Sequence, residues 1–148
     1  MTVSRFNIRV YGILLHAGCV LVSNEMIKNA PVVKFPGGGL VPGEGTLECL
    51  RREILEEVGM EAKDLRHFYT TDFFQPSAYC EEDQIVSIYY TFRVSDPDSI
   101  KDGAPAQGAG AEPGQHFRWI PLDQATEHDV DLPIDRLVMK LLLGAKRA

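Results

Sequence analysis

PGGGLVPGEGTLECLRREILEEVGM, residues Pro36 to Met60, joins a glycine-rich turn to a helix crowded with glutamates. The helix is expected to begin after Thr46, whose hydroxyl can cap the first free N–H groups. It is expected to end at Gly59, which takes the left-handed conformation past a helix end without strain. At about 100° per residue, Leu47, Leu50, Ile54 and Val58 fall on one face. Glu53, Glu56 and Glu57 share the neighbouring face, because residues three and four apart stack over one another. That crowding works against the helix. Glu53 faces two like charges, each costing roughly 0.2–0.5 kcal/mol. Glu56 and Glu57 sit in the last turn, where the helix dipole disfavours anions. A bound divalent cation removes both objections. Mg²⁺ takes oxygen ligands, commonly one or two carboxylates together with substrate phosphates.

A solvated, salt-bridged face is the plainer reading. Glu48 with Arg52, and Arg52 with Glu56, are i, i+4 pairs, and charge runs usually lie on a surface. That reading leaves Glu53 and Glu57 without partners and says nothing of Gly37, Gly38 and Gly39. Those glycines allow a positive φ or a close backbone approach. They lack the Lys-Ser/Thr ending of a phosphate-cradling P-loop.

The spacing Gly38-x5-Glu44-x7-Arg52-Glu53-Ile54-Leu55-Glu56-Glu57-Val58-Gly59-Met60 resembles the Nudix box at every defined position. The resemblance implies Nudix hydrolase chemistry: metal-dependent hydrolysis of a diphosphate linked to another moiety, usually in a nucleoside diphosphate derivative. It implies Glu53, Glu56 and Glu57 as metal ligands and catalytic carboxylates, with the Gly38 carbonyl as a further metal contact. Arg52 then orients a glutamate by a charge-assisted hydrogen bond, and Glu44 braces the loop and helix. The implied cofactor is Mg²⁺, with Mn²⁺ as the alternative.

The whole chain is compatible with this. Its 148 residues suit one domain, residues 1–148, with a real core. A net charge of −6 argues against binding a nucleic-acid backbone. No apolar run approaches a membrane span, and MTVSRFNIRV lacks the layout of a signal peptide. Cys19, Cys49 and Cys80 are odd in number and lack metal spacing, so they read as reduced thiols of a cytoplasmic protein. A reactive Cys49 is the alternative, but its acidic neighbours disfavour a thiolate.

Phe6 to Val22 reads as one long or two consecutive strands, followed by a polar turn at Ser23-Asn24-Glu25. Val32 to Phe35, Leu65 to Phe74, Gln84 to Val94 and Phe117 to Ile120 read as further strands of a mixed sheet. A second helix is expected from Pro133 to Leu143, with proline in its first turn and Leu137, Val138, Leu141 and Leu142 as its apolar stripe. The fold class is α/β: an α/β/α sandwich with a central mixed sheet, which agrees with the Nudix fold. His16, inside an apolar strand, reads as structural.

Ser95 to Gln115 is rich in Gly, Ala, Pro and Asp and reads as a long mobile loop, either a functional lid or a tolerated insertion. In the family this loop often carries an additional glutamate, shortly before a motif that here reads Phe117-Arg118-Trp119-Ile120-Pro121-Leu122. The sequence offers Gln115, His116 and Glu112, of which Glu112 is the choice for general base. Glu81, Glu82 and a box glutamate are the alternatives, as is His116 by its ordinary pKa.

Lys34 is a candidate phosphate contact, against the commoner surface lysine. Phe73, Phe74 and Tyr79 could stack on a base or simply pack. Pro76, near where the ADP-ribose pyrophosphatase branch has a proline, and Phe74 complete the substrate-binding candidates. ADP-ribose-like substrates are favoured over nucleoside triphosphates, nucleotide sugars and dinucleoside polyphosphates. A small nucleotide-type molecule is the expected partner, with no nucleic acid and no membrane; a homodimer is implied by the resemblance alone. A non-catalytic nucleotide-binding module is the second class, and the intact acidic box argues against it.

Overall fold

The computed structural model describes residues 2–147. Strands β1 (Arg5–His16), β2 (Cys19–Ile27) and β3 (Ala30–Lys34) form consecutive hairpins. Their turns, Ala17-Gly18 and Lys28-Asn29, hold positive φ at both positions, which lets two-residue connections follow the strand twist. The chain continues through β4 (Gly37–Gly39), α1 (Thr46–Val58), β5 (Lys63–Thr70), β6 (Asp83–Arg93), β7 (His116–Pro121) and α2 (Pro133–Arg147).

The sheet order is β3-β2-β1-β6-β5, with β4 added to β1 and β7 to β2. Among the described residues, only β1 and β6 run parallel, in register from Arg5↔Asp83 to Leu14↔Phe92. β1 pairs with β2 only at its end, around Leu15↔Val20. Earlier along β1, Arg9 to Tyr11 pair with the glycine strand instead. This fork inserts Gly37–Gly39 into the middle of the sheet.

Strand alternation sorts β1 between two cores. Val10 and Leu14 pack with Leu21, Phe92 and the α1 residues Leu50, Ile54 and Val58. Tyr11 and Ile13 pack with Val22, Phe35, Tyr89 and the α2 residues Ile134, Val138, Met139 and Leu142. Each such fully buried aliphatic side chain contributes roughly 1.5–3 kcal/mol. The architecture is the α/β/α sandwich expected. Among the described residues, no helix is long and apolar enough to cross a membrane.

Local details depart from the sequence reading. Gly45, not Thr46, is the helix N-cap, and Glu48 Oε1 accepts its N–H at 2.9 Å. Glu48 is thereby drawn to the helix start rather than to Arg52. Thr46 bonds the Tyr90 hydroxyl at 2.6 Å instead. The α1 stripe is rotated: Cys49 is buried and Leu47 is 39% exposed. In α2, Ile134 and Met139 are buried while Leu141 faces outward. Ser23-Asn24-Glu25 is strand, not turn; its polarity serves a buried network described below. Ser95 to Gln115 is pinned at several points. Pro105 bridges His116, Trp119 Nε1 donates to Ile100 O at 2.7 Å, and Asp102 accepts from Trp119 N at 2.7 Å.

Candidate active site

Gly37–Gly39 brings the acidic helix to the sheet. The Gly37 N–H donates to Glu57 Oε2 at 3.2 Å. A β-carbon on Gly38 would fall 2.5 Å from Glu53 Oε1, so only glycine admits that carboxylate there. Glu57 is buried and Glu53 half-buried, while Glu56 is the more open of the three. Gly59 ends the helix with φ of 81° as expected.

Arg52 ties the box together. Its guanidinium holds both oxygens of Glu44, at 2.8 and 3.0 Å, in the fork geometry that suits arginine. The same group reaches Glu53 Oε1 at 3.0 Å, Glu56 Oε2 at 3.3 Å and Gly39 O at 3.2 Å. Glu44 also accepts from Val41 N at 3.1 Å, so it braces the loop against the helix. Arg52 holds the Glu44 carboxyl down to about 2. Burial and the Glu44 carboxylate push the Cys49 thiol up to about 12, which removes it as a nucleophile near neutral pH.

The other glutamates are shifted the opposite way. Burial raises Glu53, against the pull of Arg52. Burial raises Glu57 to about 7, despite Lys34 and a hydrogen bond from Gln115. Desolvation therefore outweighs the local cations at both carboxylates.

Behind Glu57 lies a buried polar network that the sequence reading missed. Gln115 Nε2 donates to Glu57 Oε1 at 2.7 Å and Ser23 Oγ at 3.0 Å. Ser23 Oγ donates to Glu25 Oε2 at 2.8 Å, and Lys34 Nζ lies 3.2 Å from the same oxygen. The available signal was Ser23 and Glu25 two apart, on one face of a strand whose apolar run precedes them. Lys34 is itself buried, with its ammonium also on Phe35 O and Gly37 O. Burial disfavours that charge, but Tyr11, Glu25, Glu57 and Asp135 outweigh it and raise the pKa.

A cavity of about 290 Å³ opens on the α2 side of the glycine strand, lined by Arg9, Tyr11, Lys34, Pro76, Tyr79 and Tyr89 among others. Arg9, unremarked in the sequence, has a guanidinium nitrogen 3.2 Å from the β-carbon position of Gly39. Arg9 and Lys34 thus stand between cavity and box. The cavity also meets Asp135, whose carboxylate accepts from the Tyr89 hydroxyl and, at 3.1 Å, from Phe35 N. Phe74 is 60% exposed and is not among the lining residues. Glu112 is exposed; its backbone N–H donates to Gln115 Oε1 at 3.1 Å.

The donor chemistry suits a hard divalent cation: carboxylate oxygens desolvated without enough positive charge, beside backbone carbonyls. Among the described residues, no three His, Cys, Asp or Glu side chains converge as a ligand set. Arg52 instead bridges Glu53 and Glu56.

This fold and this acidic helix define a family, and the chain belongs to it: the NUDIX domain model matches residues 5–142. The chain is similar to a solved NUDIX hydrolase from Nitrosomonas europaea, with 17% identity over 96% of this chain and 91% of that one, at a TM-score of 0.73. A MutT NUDIX hydrolase from Burkholderia pseudomallei is 18% identical over 93% and 98% of the two chains, with a TM-score of 0.66. At such identities the likeness is one of fold. A curated RNA pyrophosphohydrolase of Cronobacter sakazakii is 47% identical over 38 residues, 26% of this chain and 22% of that protein. One of Escherichia coli is 45% identical over 38 residues, again 22% of its length. The match thus spans less than a quarter of those relatives.

Proposed function

We propose that this protein is a divalent-metal-dependent pyrophosphohydrolase that cleaves the diphosphate linkage of a nucleoside diphosphate derivative. One observation carries the reading: Glu53 and Glu57 are desolvated against Gly37 and Gly38, with Arg9 and Lys34, across the same strand, lining a cavity. Glu53, Glu56, Glu57 and the Gly38 carbonyl would hold the ion, Mg²⁺ first and Mn²⁺ second. Such an ion neutralises phosphate charge and lowers the pKa of a bound water.

The chain's own residues supply the rest. Arg52 fixes Glu53 and Glu56 relative to the brace at Glu44. Arg9 favours a diphosphate along the glycine strand, with Lys34, buried against Glu25, adding positive charge from behind, and the cavity takes the attached moiety. Water attacks one phosphorus of the diphosphate, a glutamate accepts its proton, and the bridging P–O bond breaks as the other phosphate leaves with its attached group. Glu112, on the exposed loop, is assigned first as base and a box glutamate second. A volume of about 290 Å³ lies at the small end of ligand pockets. Pro76 and Tyr79 wall that space, and Phe74 flanks its loop. ADP-ribose-like substrates remain favoured. Nucleoside triphosphates and 5′-triphosphate RNA belong in the same panel, the latter because of the names of the partial relatives. Free Cys19, Cys49 and Cys80 suit a cytoplasmic setting.

The test is a panel of nucleotide derivatives assayed by product identity, with Mg²⁺ and with chelator. Release of a nucleoside monophosphate or pyrophosphate only with metal supports the reading. Glu57→Gln is expected to keep the fold and lose most turnover. Undiminished Mg²⁺-dependent hydrolysis by that variant sinks the assignment, and binding without turnover by the unaltered protein favours the regulatory module.

A further inference from the structure

Gly108 and Gly110 meet the last turn of α1 at distances that no side chain would allow. The Gly108 N–H donates to Glu57 O at 3.0 Å, and the Gly110 N–H to Glu56 O at 2.8 Å. A β-carbon on Gly108 would fall 2.0 Å from Glu56 O, and one on Gly110 would fall 2.7 Å from Glu56 Cβ. These bonds satisfy carbonyls that a helix end leaves free. The segment then returns to the same glutamate from below. Gln115 is 2% exposed, and its Nε2 donates to Glu57 Oε1 at 2.7 Å.

The carboxamide is fixed in one orientation. Nε2 also faces Ser23 Oγ at 3.0 Å and Glu25 Oε2 at 3.4 Å, while Oε1 accepts the Glu112 N–H at 3.1 Å. Flipping it would set an oxygen against two carboxylates and leave a buried N–H unpaired, which costs about 1–3 kcal/mol. Glu57 is thus held at one oxygen by Gln115 and at the other by the Gly37 N–H.

We propose that residues 107–115 form a positioning device for Glu57, gripping its backbone through Gly108 and its carboxylate through Gln115. The composition that suggests a loose loop serves a different end: small residues let the backbone reach the helix terminus. Gln115 acts through Glu57 and is a positioning residue. The inference rests on the proposed role of Glu57 as a metal ligand, and its main readout is cation binding rather than turnover.

Mn²⁺ affinity is measured by electron paramagnetic resonance for the unaltered protein, Gln115→Met and Gly108→Ala, with thermal unfolding as a check of the fold. Methionine keeps the length of Gln115 without its donors. Outer-shell partners of metal ligands typically govern affinity by roughly 10–100-fold. Gln115→Met is expected to weaken Mn²⁺ by about 10-fold or more, and to lower kcat while leaving KM unchanged. Gly108→Ala, whose β-carbon would collide with the Glu56 carbonyl and force the segment off the helix end, is expected to weaken Mn²⁺ in the same direction and carries the test if Gln115→Met does not fold. Unaltered affinity in a folded variant overturns the proposal, as does an unaltered protein that binds no Mn²⁺. Weakened Mn²⁺ in the variants, with no hydrolysis by the unaltered protein, sustains the positioning role and defeats the hydrolase reading.

Discussion

Glu53 rests its carboxylate on Gly38, so closely that a β-carbon at residue 38 would lie 2.5 Å from Oε1. The neighbouring Gly37 is constrained differently. Its φ is +140°, and a β-carbon there would fall 2.2 Å from the carbonyl oxygen of Val10. One glycine makes room for a flexible side chain, the other for rigid backbone.

The two alanine variants should therefore fail in different ways. Gly38→Ala is expected to fold, because a carboxylate can swing aside, but to lose about 10-fold or more of metal-dependent turnover as Glu53 is displaced. Gly37→Ala is expected to lose about 2 kcal/mol or more of stability from strain and backbone collision. Thermal unfolding and turnover of both variants check this. Equal stability losses with unaltered activity for Gly38→Ala would count against the site.

Arg52 offers a second test. Its guanidinium serves Glu44, Glu53, Glu56 and the Gly39 carbonyl together. Lysine keeps the charge but has no planar fork. Arg52→Lys is expected to free Glu44 and loosen the loop at Val41, with turnover down by about 10-fold or more. A kcat equal to that of the unaltered protein would show that charge alone suffices.

How much of this was legible in the chain follows from the range of the forces involved. The acidic helix, its Gly59 stop and the paired cores rest on short-range periodicity, which the sequence displays directly. The exact register of the stripe does not, because Leu47 and Cys49 differ in burial only through what lies opposite them in the sheet. Ser23 and Glu25 read as a turn because polarity normally marks solvent. Here it marks an interior network completed by Gln115, far along the chain. Arg9 carries no local signal for the same reason: its place beside the glycine strand depends on the β1–β4 pairing. The loop before Gln115 looked unanchored because its anchors are backbone N–H groups, which composition does not show.

Asp135 gives a pH-dependent prediction outside the box. Burial raises its carboxyl from 3.8 to about 6, with Tyr89 and Phe35 N pulling the other way. A carboxyl whose folded pKa is raised stabilises the fold most when protonated, and that contribution is lost as pH rises from about 4 to 6. At about 1.4 kcal/mol per unit, the full loss is about 3 kcal/mol. Asp135→Asn is expected to flatten the stability profile in that window. Chemical denaturation at several pH values reads it, and an unchanged slope refutes the assignment.

Glu57 makes the last prediction, which joins electrostatics to the proposed cation. Burial lifts its carboxyl from 4.5 to about 7. Without metal, the unfolded chain releases this proton near 4.5 while the folded chain keeps it to about 7. The fold therefore loses stability across that window, by about 3 kcal/mol at most. A divalent cation binds the ionised form and displaces the proton, so the stabilisation it confers must grow as pH rises from about 5 to 7 and then level off. Comparing thermal midpoints with and without saturating Mg²⁺ at each pH separates this from the Asp135 slope, which is common to both measurements. In Glu57→Gln the apo protein is expected to be more stable than the unaltered one at pH 8, and the Mg²⁺ gain to keep only the weaker pH dependence that the raised Glu53 carboxyl leaves. A gain from Mg²⁺ that is flat with pH in the unaltered protein would mean that Glu57 holds no cation.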